Sequence, residues 1–540
     1  MASLLRGFVQ AARLHCTRTA LRLDTENVTY EELERLAAAI AARVQAGAPG
    51  ESPLLGVYAS HSLSAYAGAL AATGCRRAIL PLDPFDPPGR VHAIIAASGV
   101  DALVVGPQAL DRVDGLLAAS GRPLLILTPE TDALRGLSAR HRRHRFADQK
   151  QLVTAEAELL APENPTHPAY ITYVGGAARL HALSLSHQAL IHYVDQVARS
   201  LDLDPDDRVS QIFDLRLSQA LHDMLTTWQA GATLVALGRS ARPRLAAKIQ
   251  AHRLTRFAGW PALAAGLWRT GELAEDAFGD LRSSLFFGPP LDADLAHAWH
   301  RAAPKSLITS MWGPPQAGPA LASRGLQRPQ ASPSSTHAPA AATPGTDPDR
   351  LTLFDGHQAS TLSSELRSPA PGQPGELVVS GPQVPCPNPA DASPSPCVEP
   401  GDAPGATPAP GPWLRTGHQA HLGQGGAFDL GPRHDDQVYL GGELIELSEL
   451  DQALQQACGH RHAAVLPWPQ DTDWPAGLIA LVATTLDHPL DVAAILAACR
   501  RQLPAHLVPD RVLPIDQLPR TSSGTPDRLA LARRLNRERS

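Results

Sequence analysis

Apolar positions along the chain recur at two spacings, and their alternation predicts the fold class. Thr29 and Glu32 form a capping-box pair ahead of Leu33, Leu36, Ile40 and Val44, whose helical spacing predicts an amphipathic helix. Strand-like runs follow at Leu54–Ala59, Ala102–Val105 and Leu124–Leu127, with helical stretches between them. Strands that take turns with helices predict an α/β architecture with a mostly parallel sheet covered on both faces. Upstream, Leu4, Leu5, Phe8, Val9, Ala12 and Leu14 predict a further amphipathic helix.

The stretch from Tyr170 to His187 carries the chemistry. A β-branched and aromatic run, Tyr170 to Val174, leads into Gly175-Gly176 and on to a helix capped by Ser186, with Leu190, Val194, Val197 and Leu201 on one face. Strand, glycine pair and helix outline a phosphate loop, because glycine backbones can turn N–H groups toward an anion. An ordinary turn would use the same pair. The loop has no lysine and almost no hydroxyl.

With 540 residues the chain is long enough for one large and one small domain. A formal charge of -6 gives no sign of the basic face that nucleic acid requires. No apolar run is long enough to span a bilayer, so cytoplasm is the default expectation and no membrane partner is predicted. The six cysteines lack CxxC spacing and suggest neither a zinc site nor a disulfide framework. Arg6, Arg13 and Arg18, without an acid in the first twenty residues, would suit a transit peptide, but the amphipathic helix is the preferred reading. Two segments, Pro314 to Asp349 and Pro382 to Pro412, are rich in Pro, Ala, Ser and Gly and are read as loops or disordered insertions.

Motif by motif, the chain resembles the adenylate-forming superfamily, above all the adenylation domains of nonribosomal peptide synthetases. That family writes its loop as Tyr-Thr-Ser-Gly-Ser-Thr-Gly-x-Pro-Lys-Gly, followed by Ser-His; Tyr173, Gly176, Ser186 and His187 match it. Val28–Leu33, Ala78–Arg90, Gly231–Val235 and Leu281–Leu291 resemble further family blocks in order. So do Trp312–Gln316, Gly375–Gly381, Leu414–His418, Gly431–Leu450 and Leu503–Arg528. The resemblance implies a large N-terminal domain of stacked sheets and helices, residues 1–431, and a small α+β lid, residues 432–540. It also implies ATP and Mg²⁺ if the protein is active, a small carboxylic acid as substrate, and a carrier protein or synthetase subunit as partner. No stretch after Arg528 reads as a carrier domain, so that partner is expected in trans.

The family reaction joins a carboxylate to the α-phosphate of ATP and passes the acyl group to a thiol. Its catalysis depends on cations and donors around phosphate oxygens. Judged by the resemblance, Gly175, Gly176, Trp312, Gly313, Gln316, Thr416, His418 and Arg433 stand at nucleotide-binding positions. His181 replaces the loop lysine, Gln316 the glutamate that helps hold magnesium, His418 the aspartate that grips the ribose, and Thr525 the C-terminal lysine. A gapless count from Asp207 puts Ser218 where the family pairs an aspartate with an amino acid's α-ammonium. Ser218 and His222 are the expected substrate contacts, and an α-amino acid is disfavoured. Arg433 and Asp435 keep the Arg-x-Asp of the hinge.

Loss of one such donor typically costs ~10²–10³ in rate. The leading expectation is therefore an adenylation-domain-like protein of secondary-metabolite biosynthesis that is catalytically impaired or inactive. The alternative is a divergent stand-alone ligase, with His181 and His418 rewired into a nucleotide site. A plain ligand sensor is the third reading.

Overall fold

A computed structural model describes residues 3–537 except 25, 133–134, 153–158, 160–163, 175–179, 289–290, 327–349, 356, 363–374, 385–396, 399–411, 423–426, 434–435, 441–442, 460–461, 469–476, 484–489 and 521–525. The chain divides into two compact units. One comprises residues 1–84, 98–172 and 183–434, and the other residues 85–97, 173–182 and 435–540. The second therefore contains two N-terminal segments besides the C-terminal region, one of them the loop segment 173–182.

Capping chemistry and apolar spacing act together at the helix Tyr30–Gly47. Thr29 Oγ1 accepts from the Glu32 amide while Glu32 accepts from the Thr29 amide, completing the capping box, and Leu33, Ile40 and Val44 are buried. The helix Arg6–Leu14 places Phe8 against Trp228 with ring centroids 5.4 Å apart. Gly7 permits this approach, since a Cβ there would lie 2.8 Å from Gln229. Leu14, expected on the apolar face, is 67% exposed, because the buried face is Leu5, Phe8, Ala11 and Ala12.

The runs read as strands pair in parallel. Leu54–Tyr58 lies between Ala78–Leu82 and Ala102–Val105, and Leu125–Thr128 continues the order to Arg145–Asp148. They belong to a seven-stranded sheet. A second, fourteen-stranded sheet is parallel from Thr19–Arg22 to Leu307–Trp312, then continues in antiparallel strands. Helices such as Leu63–Gly74 and Ser218–Gln229 are buried over most of their residues, as expected for elements covering parallel sheets.

Two sequence expectations need correction. The strand Pro168–Val174 does not pass directly into a helix: His181–Ser186 forms a further strand, and the helix His187–Leu201 starts after it. Leu183 and Leu185 alternate with Ser184 and Ser186, the period-two pattern of a strand. In the stretch 314–349, Pro315–Ala317 is a 3-10 turn and Ala322–Leu326 a strand, because Ala320, Leu321 and Ala322 are fully buried. In the stretch 382–412, Gln383 is buried and donates to the carbonyls of Ala317 and Ala320, and Cys397–Val398 pairs with Trp413–Leu414. The remainder of both stretches, residues 327–349, 385–396 and 399–411, lies outside the described residues.

The helix cap at Ser186 is as expected, with Ser186 Oγ accepting from the Ala189 amide at 3.1 Å. Ser186→Ala should lower the unfolding free energy by about 1 kcal/mol, and Ser186→Asp, which keeps an acceptor, should restore it. Urea titration of the two variants decides this, and equal midpoints for Ser186→Ala and the parent protein would remove the cap's role.

In the second unit, Ala463–Trp468, Gly477–Ala483 and Arg511–Ile515 form a three-stranded sheet. Leu447–Cys458 and Val492–Gln502 share one apolar cluster with it. Leu531, Ala532 and Leu535 of the helix Arg528–Arg537 share another.

Candidate functional site

Part of the predicted nucleotide site is assembled in the first unit. His418 is in the strand Trp413–Leu422, directly opposite Arg433 in the antiparallel ladder, and its ring is 5% exposed. The amide of His418 donates to Thr416 Oγ1 at 3.2 Å, and that hydroxyl donates to the Leu377 carbonyl at 2.8 Å. His418 Nδ1 and the Gly431 carbonyl oxygen are 3.1 Å apart, which places the proton on Nδ1 as donor. The edge of the ring packs on Trp312 with centroids 5.8 Å apart. Where a ribose-gripping aspartate would present a bidentate carboxylate, the imidazole thus has one nitrogen committed to the backbone.

Gly313 follows Trp312 in a position that only glycine fills, since a Cβ would lie 2.7 Å from the Leu321 amide nitrogen. Gln316 is half-buried in the 3-10 turn. A neutral amide is a poor ligand for a hard cation. Among the described residues no group of three or more His, Cys, Asp or Glu side chains could hold a metal ion.

Ser218 and His222 are brought together, one turn apart at the start of the helix Ser218–Gln229, and both are buried. His222 Nδ1 and the Tyr193 hydroxyl share a hydrogen bond of 2.7 Å, and the His222 ring meets Phe287 at 5.1 Å. Phe213 stands edge-on to both Phe287 and Trp260. Burial pushes the His222 imidazole down to about 3, so it is neutral at physiological pH. A neutral imidazole and a serine cannot replace a carboxylate as counter-ion to an ammonium group.

His181 lies in the second unit with its Nε2 3.8 Å from Glu449 Oε1, on the helix Leu447–Cys458. This carboxylate partner of His181 went unpredicted, and no motif singles it out. His187, of the Ser-His pair, is buried, and its pKa is pushed down to about 4, by burial first and His167 second. Gly175, Gly176, Asp435 and Thr525 lie outside the described residues, as does the Arg433 side chain.

Two sheets with long parallel runs of strands, their covering helices and this partly assembled site define an adenylate-forming scaffold. The chain belongs to the family described as AMP-binding enzyme, whose profile matches residues 8–385. It is 24% identical over 528 residues to an L-proline--[L-prolyl-carrier protein] ligase of Pseudomonas fluorescens, covering 96% of each chain. Over 525 residues it is 26% identical to the non-ribosomal peptide synthetase CmlP of Streptomyces venezuelae, covering 96% of this chain but only 48% of that one. Among solved structures, the Vibrio cholerae adenylation domain AlmE superposes with a TM-score of 0.81 at 23% identity, covering 99% of this chain and 98% of that one. IdnL7 does so with 0.66 at 27%, covering 100% and 99%. Adenylate-forming enzymes use ATP and Mg²⁺, and the structure of PA1221 contains adenylation and PCP domains. Among the described residues no helix is long and apolar enough to cross a membrane.

Proposed function

We propose that this protein is an adenylation-domain-like member of a nonribosomal-peptide type assembly line whose acid-activating chemistry is impaired, and that it works in trans with a carrier protein or synthetase subunit. The observation that carries the reading is the buried His418, engaged with the Gly431 carbonyl and packed on Trp312 where the family has a ribose-gripping carboxylate. Gln316, His181 and Thr525 extend the same loss to the metal, the loop and the C-terminal lysine. By the resemblance, His181 and Thr525 stand for cations at phosphate oxygens, where such groups supply most of the rate enhancement, while Gln316 stands for a metal ligand and His418 for the ribose acceptor. Similarity to a ligase of a prolyl-carrier protein supports a carrier as the class of partner.

The test is carboxylate-dependent pyrophosphate exchange across a panel of amino, aryl and aliphatic acids. Exchange at or below the background of a heat-treated sample is expected for every acid, and exchange at an ordinary ligase's rate with any of them would overturn the reading. A second reading, a divergent ligase for an acid other than an α-amino acid, draws support from His181, whose Nε2 lies 3.8 Å from Glu449 Oε1. Under that reading some non-amino acid gives exchange, and Glu449→Gln reduces it.

A further inference from the structure

A charged cluster apart from the predicted site residues lies where loops leave the strands Leu54–Tyr58, Ala78–Leu82, Arg208–Gln211 and Thr233–Ala236, all within the first unit. Asp83 and Asp214 are buried, and two arginines bridge both of them. Arg216 Nη2 is 3.2 Å from Asp83 and its Nε 3.4 Å from Asp214. Arg239 reaches Asp83 and lies 3.4 Å from Asp214. Arg239 begins the 3-10 turn Arg239–Arg244, and its side chain is 29% exposed, so the cluster opens to solvent on that side.

Three features exceed what an ion-pair network needs. The guanidinium of Arg242, on the same turn, lies over the ring of Trp260 at 5.3 Å from its centroid. Trp260 is 5% exposed, yet among the described residues its indole Nε1–H has no hydrogen-bond acceptor. His61 is held at φ 41°, in the left-handed region a histidine rarely takes, against Gly238. Its Nδ1 contacts Ser60 Oγ at 3.1 Å, and the Ile212 backbone faces the same imidazole. Burial, opposed by Asp214 and reinforced by Arg242 and Arg239, pushes this imidazole down to about 4. Strain and unmet donors concentrate at binding sites. Trp260 also directly precedes the nine-residue helix Pro261–Arg269, whose N-terminus no side chain caps.

We propose that the Arg239–Arg244 turn and Trp260 form a binding site for a phosphate group, free or carried as a monoester. The guanidinium groups supply forked donors and Trp260 Nε1–H a further one, while Asp83 and Asp214 hold Arg216 and Arg239 in place from behind.

Thermal unfolding of the full chain with inorganic phosphate, methyl phosphate or acetate, at ionic strength matched with chloride, tests this. Both phosphates should raise the melting temperature in a saturable way and acetate should not; a larger effect of methyl phosphate would identify a monoester as the ligand. Arg242→Ala should weaken phosphate about tenfold, the loss of one charge-assisted contact. Trp260→Phe, which keeps the ring and removes the N–H, should weaken it several-fold and carries the test if Arg242→Ala does not fold. A phosphate effect no larger than that of chloride, or one unchanged in both variants, overturns the site. None of these residues belongs to the predicted acid-activating set, so that outcome leaves the proposed function standing.

Discussion

Arg528→Ala should destabilise the C-terminal unit by about 3–5 kcal/mol, as expected when one partner of a buried ion pair is removed. Arg528 Nη2 donates to Asp451 Oδ2 at 2.8 Å and to Asp436 Oδ2 at 3.1 Å, and Nε donates to Asp436 Oδ1 at 2.8 Å. Nη1 donates to the Val465 carbonyl. The Asp451 side chain is only 6% exposed, and burial raises its pKa although Arg528 pulls the other way. Without the guanidinium that carboxylate is left in an apolar setting between the helix Leu447–Cys458 and the strand Ala463–Trp468, its one remaining donor being the Val465 amide. Arg528→Met combined with Asp451→Leu should recover most of the loss, since the pair is replaced rather than broken. Urea denaturation of the single and double variants provides the check. A loss under about 1 kcal/mol in Arg528→Ala would show that the network is not holding the unit.

Arg528 thus clamps a helix to a sheet, and Asp527 accepts from the Ala530 amide at 2.9 Å to start the last helix. The parallel strands and the capped helices were legible because local spacing and capping determine them, and the family blocks because they resemble the superfamily's motifs. Glu449, Trp260 and the Asp83–Arg239 cluster were not, since residues far apart in the chain meet there with no periodic signal. Asp83 was visible only as a letter in a family block. The strand His181–Ser186 was hidden by its brevity and by its position between a glycine pair and a strong helix signal.

The helix carrying Ser218 and His222 supplies the second large effect, of opposite sign. Asp223 is fully buried, neither carboxylate oxygen has a hydrogen-bond partner among the described residues, and burial raises its pKa well above the ordinary carboxylate range. The phenols of Tyr66 and Tyr193 feel its charge but are engaged elsewhere, Tyr66 donating to Gln211 Oε1 and Tyr193 sharing its bond with His222. In the unfolded chain this carboxyl ionises near its usual 3.8, while in the folded protein it holds its proton. Stability from this group is therefore present below pH 3.8 and is lost as pH rises toward the folded value. Asp223→Leu removes that dependence together with the orphan oxygens, so it should raise the unfolding free energy by about 1–3 kcal/mol, more at pH 8 than at pH 5. Tyr66 and Tyr193 stay protonated across this range. His222 titrates alike in both proteins and cancels from the difference. Asp223→Asn, which leaves a buried amide unpaired, should gain less than leucine. Urea midpoints at the two pH values decide the matter: a variant less stable than its parent, or a gain that does not change with pH, would mean that Asp223 is held by a partner in solution.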